Sequence, residues 1–246
     1  MAAATTLAAT TRPVAAQGAE LRVLAGSGIA LAMQEMAPRF ERASGHRVTL
    51  YFGPTPQLIA EATSGRGFDL GVVPSEMMRD AAARACFEAS PEPLVIARVG
   101  YGVAVRAGAP HPDISSSDAF RRAMLAAPAV ATFPGSAAGA HVLGVFERMG
   151  IAQEMRGKLV VPTTPAGIPA AVASGEATLA VFLTNVLAAP GVELAGPFPA
   201  EFQQNLVYLG ARSATGAAGD AAGALLRYLR TAEAQEVLRA KGLTPG

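Results

Sequence analysis

From Glu20 onward, short β-type runs alternate with amphipathic helical stretches, and this alternation constrains the fold more than any other feature of the chain. Leu21-Arg22-Val23-Leu24 reads as a strand ending in Ala25-Gly26-Ser27-Gly28, after which Ile29, Met33, Met36 and Phe40 fall at helical spacing. Gly45 closes that helix. Val48, Leu50 and Phe52 then alternate as a second strand, and Gly53-Pro54-Thr55-Pro56 opens a helix through Ile59 and Ala62. Asp69-Leu70-Gly71-Val72-Val73 is a third strand, with Pro74-Ser75 capping a helix through Met78. Such a βαβαβα series implies a mostly parallel sheet covered by helices on both faces.

Near residue 94 the rhythm changes. PLVIARVGYGVAV, ending at Val105, reads as a long or broken β segment and marks a crossover. A second series follows, with helices expected over Ser117–Ala126, Ser136–Met149 and Pro165–Ser174. Its strands are Ala129–Phe133, Leu159–Val161, Thr178–Leu183 and Val192–Leu194. Leu206–Ala211 looks like a returning strand, and Ala217–Arg230 and Ala232–Lys241 like closing helices. At ~150 residues per domain, the 246-residue chain makes one large domain or two small ones. The expected division is an N-terminal segment over 1–19, one lobe from 20–96 plus 200–246, and a second over 97–199.

A hydrophobic fraction of 51% allows a large core that needs no disulfide staple. The formal net charge of +1 supplies neither a field for a nucleic-acid backbone nor a polybasic stripe for a membrane surface, so no nucleic-acid partner is expected. Cys86 is the lone cysteine, and His46, His111 and His141 lie apart from it and from one another. No metal motif has a recognisable spacing, and no cofactor is expected. The uncharged stretch between Arg122 and Glu147 is interrupted by Pro128, Pro134 and Gly135, which fits buried strand, turn and helix better than a membrane span. The Ala/Thr-rich first nineteen residues lack a basic start and a dense apolar stretch, yet Val14–Ala19 has the small residues of a cleavage region. A leader remnant, a start codon assigned too late and a disordered terminus all fit.

Nucleotide-binding fingerprints fail. After Gly26-Ser27-Gly28, position 31 is Leu rather than a third Gly, and the second strand ends Tyr51-Phe52-Gly53 without an acidic residue for a ribose. Gly157-Lys158 is followed by Leu159, which breaks the phosphate-loop pattern, and no G-x-S-x-G elbow occurs. What remains is a set of small hydroxyls at strand-to-helix turns: Ser27, Thr55, Ser75 and Ser136. There, unpaired backbone N–H groups and the helix dipole bind an anion without a Lys or Arg. Each is also a plain N-cap candidate. Thr184-Asn185, just past a strand, is either a ligand contact or a helix cap. His141, one turn into its helix, either moves a proton or simply packs. Tyr101 and Arg98 lie where the crossover could reach a cleft, with a buried hinge tyrosine the favoured alternative, and Glu35, Glu41, Glu61 and Glu76 are expected on solvated helix faces.

The stretch AGSGIALAMQEMAPRFERASGHRVTLYFGPTPQLIAEATSGRGFDLGVVPSEMM resembles the opening of the periplasmic molybdate-binding-protein family, type II solute-binding proteins of ABC importers. FPGSAAGAHVLGVFERMGIAQEMRGKLVV, TTPAGIPAAVASGEATLAVFL and PGVELAGPFPAEFQ resemble the second lobe and return of that family. The likeness covers about residues 20–245. It implies a two-lobe periplasmic-binding-protein fold, α/β, with mostly parallel sheets flanked by helices and a ligand held between the lobes by hinge closure. Carried over by motif, Ser27 with Gly28 and Thr55 are first-lobe ligand positions, Ser75 ends the third strand, and Ser136, Ala137, Ala138 and Gly139 form the second-lobe helix N-terminus. Thr184 and Asn185 complete the ligand-binding set.

Two departures stand out. Gly53-Pro54-Thr55-Pro56 replaces a serine-rich turn, and Phe182-Leu183-Thr184-Asn185 stands where molybdate binders carry a Tyr. The chain is thus similar to a divergent branch to which a periplasmic aconitate isomerase is related. The expected function is periplasmic capture of a small anion, oxyanion or carboxylate, for an ABC permease in the inner membrane, by a monomer. The alternative is an enzyme on the same scaffold that interconverts cis- and trans-aconitate by allylic proton transfer, with His141 as the candidate catalytic residue. A ligand sensor that docks on another protein after closure is a third reading.

Overall fold

Strand β1 (Glu20–Gly26) pairs in parallel with β2 (Arg47–Gly53) without a slip, from Glu20 opposite Arg47 to Gly26 opposite Gly53. In this computed structural model, which describes residues 18–246, the expected leader or disordered segment lies outside the described residues apart from Gly18 and Ala19. A 3-10 turn, Ser27–Ile29, and helix α1 (Ala30–Ser44) connect the two strands. Leu21, Val23 and Ala25 share a core with Met33, Met36 and Phe40 of α1. Leu24, on the opposite face, packs with Leu58 and Phe87. Burial of both faces is what a parallel strand covered by helices requires, and each fully buried Leu contributes ~1.5–3 kcal/mol.

After α2 (Thr55–Thr63) comes β3 (Leu70–Pro74), buried along its length and parallel to β1. The segment expected as a helix through Met78 is a 3-10 turn, Ser75–Arg79, followed by the short α3 (Ala81–Ala85). The broken β segment resolves into β4 (Leu94–Val99) and β5 (Tyr101–Arg106), in different sheets, with Gly100 between them. The second series contains α4 (Ser117–Ala126), β6 (Val130–Ala131), α5 (Ala137–Arg148), α6 (Ala152–Arg156) and β7 (Leu159–Val160). It continues through α7 (Gly167–Ala173), β8 (Leu179–Leu183), α8 (Thr184–Leu187) and β9 (Val192–Pro197). The chain returns as β10 (Leu206–Arg212), α9 (Gly219–Tyr228), α10 (Ala232–Ala240) and β11 (Thr244–Pro245).

The strands form a six-stranded sheet, β11-β4-β10-β3-β1-β2, and a five-stranded sheet, β7-β6-β8-β5-β9. Both are mixed. Strands linked by helices run parallel, β1 with β2 and β3, and β6 with β7 and β8. Those entering from the crossings run antiparallel: β10 against β3 and β4, and β5 against β8 and β9. A chain that leaves one sheet to build another returns with its direction reversed, a reversal that helical periodicity does not encode.

Both crossings are fastened to each other. Gln203, in the returning segment between β9 and β10, accepts from Tyr101 N and donates to Tyr101 O, each at 2.9 Å. Thr184 closes on the same hinge, its N–H and hydroxyl both donating to Gly100 O, at 3.0 and 3.3 Å.

Three of the glutamates expected on solvated faces are tied down instead. Glu61 is 6% exposed and holds Arg22 on one oxygen and Arg66, at 2.8 Å, on the other. Glu41 accepts from Val48 N at 2.7 Å, and Glu35 pairs with Arg39 and Lys241. Helical spacing placed Glu61 on a polar face; Arg22, from β1, turns that face into a buried ion pair. Removing the carboxylate charge leaves Arg22 facing a neutral amide, at a cost of about 2 kcal/mol because both arginines keep some solvent. Glu61→Gln is therefore expected to lower the melting temperature by roughly 4–8 °C in a circular-dichroism melt; an unchanged midpoint would contradict the buried pair.

Candidate functional site

The register ending at Gly26 and Gly53 sets the Ser27 and Thr55 turns side by side at the carboxyl ends of β1 and β2. Neither helix start is capped by a side chain, since Gly26 and Pro54 occupy the cap positions. The Thr55 hydroxyl is consequently left over. It is buried without a hydrogen-bond partner in a residue 9% exposed.

From the other lobe, α5 points its N-terminus at the same place. Ser136 is its N-cap, accepting from Gly139 N at 3.0 Å and donating to Phe133 O at 3.3 Å. Gly139 is spent on that cap and lies so close to Phe133 that a Cβ would fall 1.8 Å from its carbonyl oxygen. Ala137 and Ala138 bring the next two N–H groups to the gap.

Between the lobes lies a narrow cavity that gathers Ser27, Gly28, Thr55, Ser136, Ala137 and Ala138. No lining residue is charged. An anion placed there would be met by helix-terminal N–H groups, dipoles and neutral hydroxyls.

Four positions singled out from the sequence do not line this cavity. The Ser75 hydroxyl donates to Glu76 Oε2 at 3.4 Å, although its neighbour Pro74 is in the wall. Thr184 faces Gly100 at the hinge, and Gly139 is behind Ala138. Asn185 bridges the lobes, donating from Nδ2 to Gly28 O at 2.7 Å, and borders an adjoining groove that also touches Ser27 and Gly28.

His141 is also outside the lining. Its Nε2 lies 3.0 Å from Phe202 O, and because a carbonyl only accepts, Nε2 carries the proton. Its ring centroid is 4.4 Å from that of Tyr101. Burial holds its pKa below the ordinary histidine value, partly opposed by the Phe202 carbonyl. Among the described residues, no three His, Cys, Asp or Glu gather as a metal would need, and no helix is long and apolar enough to cross a membrane.

The sequence reading missed Tyr208, Phe182, Leu183 and Leu206 in the wall. Leu206 and Tyr208 share one face of β10 by strand alternation, but only the antiparallel register, with Tyr208 opposite Pro74, reveals that this face ends at the cleft.

Two mixed sheets joined by two crossings, with a neutral cleft between them, define a type II periplasmic-binding-protein architecture. The chain belongs to the bacterial extracellular solute-binding proteins, whose family profile matches residues 21–244. It is 33% identical to an aconitate isomerase from a Pseudomonas species, over 92% of this chain and 87% of that one. It is 27% identical to the molybdate-binding protein ModA of Azotobacter vinelandii, over 93% and 91% respectively. The solved periplasmic molybdate-binding protein of Azotobacter vinelandii superposes with a TM-score of 0.74 at 15% identity, over 92% of this chain and 99% of that one. The family thus includes anion-binding relatives.

The lowered pKa of His141 has a consequence for stability. The unfolded chain binds that proton more readily than the folded one, so stability from neutral His141 is complete above the unfolded value near ~6.5 and is lost as the pH falls through the folded value. Urea unfolding at pH 7 and pH 5 is expected to show a smaller acid loss in His141→Gln than in the parent; equal losses would contradict this assignment.

Proposed function

We propose that this protein is a periplasmic solute-binding protein that captures a small anion, an oxyanion or a carboxylate, between its lobes and delivers it to an ABC permease of the inner membrane. The observation that carries this reading is the convergence of N–H groups from both lobes on a cavity without charged side chains, where the buried Thr55 hydroxyl has no protein partner. Ser27, Gly28 and Thr55 hold the anion from one side, and the N–H groups of Ala137 and Ala138 from the other, while Ser136 keeps its hydroxyl on Phe133 O and its N–H on Pro134 O and so shapes the helix start. Asn185 and Thr184 act on the arrangement of the lobes rather than on the ligand. Because the donors are divided between lobes, the anion is fully enclosed only when the lobes close, and closure is the signal a permease reads. A monomer serves this role.

A second reading rests on the 33% identity to an aconitate isomerase. Isomerisation would remove a proton from an allylic carbon, shift the double bond and return a proton at its other end, so atoms balance without a co-reactant. It needs a base within hydrogen-bond reach of that carbon. His141 is committed to Phe202 O and stands outside the cavity lining, which favours capture over turnover.

The test is a thermal-shift panel of molybdate, tungstate, sulfate, phosphate and di- and tricarboxylates. A ligand at ~100 times its dissociation constant adds ~2.7 kcal/mol, enough to raise the melting temperature by roughly 5–10 °C in a chain of this size. At least one anion is expected to do so, with the shift largely lost in a Ser27→Ala, Thr55→Val double variant. A panel without any shift would overturn anion capture. Appearance of the trans isomer after incubation with cis-aconitate would replace it with the isomerase.

A further inference from the structure

Tyr208 stands in β10 opposite Pro74 of β3 and Ala97 of β4, and is 1% exposed. Its ring runs past two glycines to reach the cleft. A Cβ on Gly26 would lie 2.7 Å from its Cε1, and one on Gly28 only 2.2 Å from its hydroxyl oxygen. Absence of side chains at these two turn positions is thus what lets the phenol come up beneath the Ser27 turn, where it lines the cavity. Burial, the largest influence on it, raises its pKa well above the ordinary tyrosine value, with Tyr101 and Glu76 adding in the same direction. The hydroxyl therefore keeps its proton and serves as a donor.

Leu183 lies beside that hydroxyl at Gly28, Pro74 lies beside the ring at Gly26, and Phe182 and Leu206 add further hydrocarbon to the lining. A compact oxyanion has oxygens on every side and would turn some of them to this wall unpaired, a loss that a ligand with a carbon skeleton avoids. The cavity shares Ser27, Gly28 and Pro165 with an adjoining groove, which Gln34 also borders.

Building on the anion-capture reading, we propose that the ligand is an organic carboxylate and that Tyr208 is the residue that selects it. Its carboxylate sits on the amides of the two lobes and the hydroxyls of Ser27 and Thr55, the carbon skeleton lies against Phe182, Leu183 and Leu206, and the Tyr208 hydroxyl donates to an oxygen of the ligand.

Isothermal titration calorimetry at pH 7.5 against sodium molybdate, sodium sulfate, succinate, citrate and trans-aconitate tests this. A carboxylate is expected to bind at least tenfold more tightly than either oxyanion. Tyr208→Phe is expected to weaken that carboxylate at least tenfold, as loss of a hydrogen bond to a charged group does, without lowering the melting temperature of the free protein. An oxyanion as the tightest ligand, or a Phe variant that binds the carboxylate like the parent, overturns the assignment while leaving anion capture standing. Failure of every anion to bind the parent protein overturns both.

Discussion

The unslipped parallel ladder between Glu20–Gly26 and Arg47–Gly53 fixes the position of everything at the cleft. Because the two strands end level, the Ser27 and Thr55 turns open side by side and line the same cavity. Slipping a parallel pair by one residue would exchange the faces of the strand and bury the wrong side. Leu24 could not then remain with Leu58 and Phe87 while Val23 stays with Met33. The hydrophobic core thus dictates where the polar site falls, and the site needs no energetic contribution of its own to be assembled.

On the proposed reading, that arrangement holds an anion. Neutral donors at helix ends bind negative charge without the desolvation penalty of burying a lysine or arginine beside it. Tyr208 is the titratable side chain in the lining, and its environment holds it protonated. His141 is packed between Tyr101 and Phe202, where its ring supports the crossings.

Much of this was legible in the sequence, for reasons that can be located. The strand and helix runs follow local periodicity, and the turns at Ser27, Thr55 and Ser136 follow from glycine, proline and hydroxyl residues at strand ends. Partners distant along the chain were not legible. Thr184 and Asn185 carry the same side-chain chemistry as a ligand contact, and the sequence has no sign of the hydrogen bonds they make to Gly100 O and Gly28 O. Glu61 looked solvated until β1 brought Arg22 to it. Tyr208 gave no polar signal because its role depends on empty space at Gly26 and Gly28, and an absent side chain has no pattern of its own.

Gln203 imitates a length of β-strand. By answering both the N–H and the carbonyl of Tyr101, its amide makes the pair of bonds a neighbouring backbone would make, and it does so where two chain segments pass from one sheet to the other. Two parallel tethers left independent would permit shear, splay and twist alike. Cross-linked at Tyr101, they are held against each other at that point. If the lobes open and close as the proposed capture requires, that link keeps the donors of each lobe facing the ligand in the same alignment.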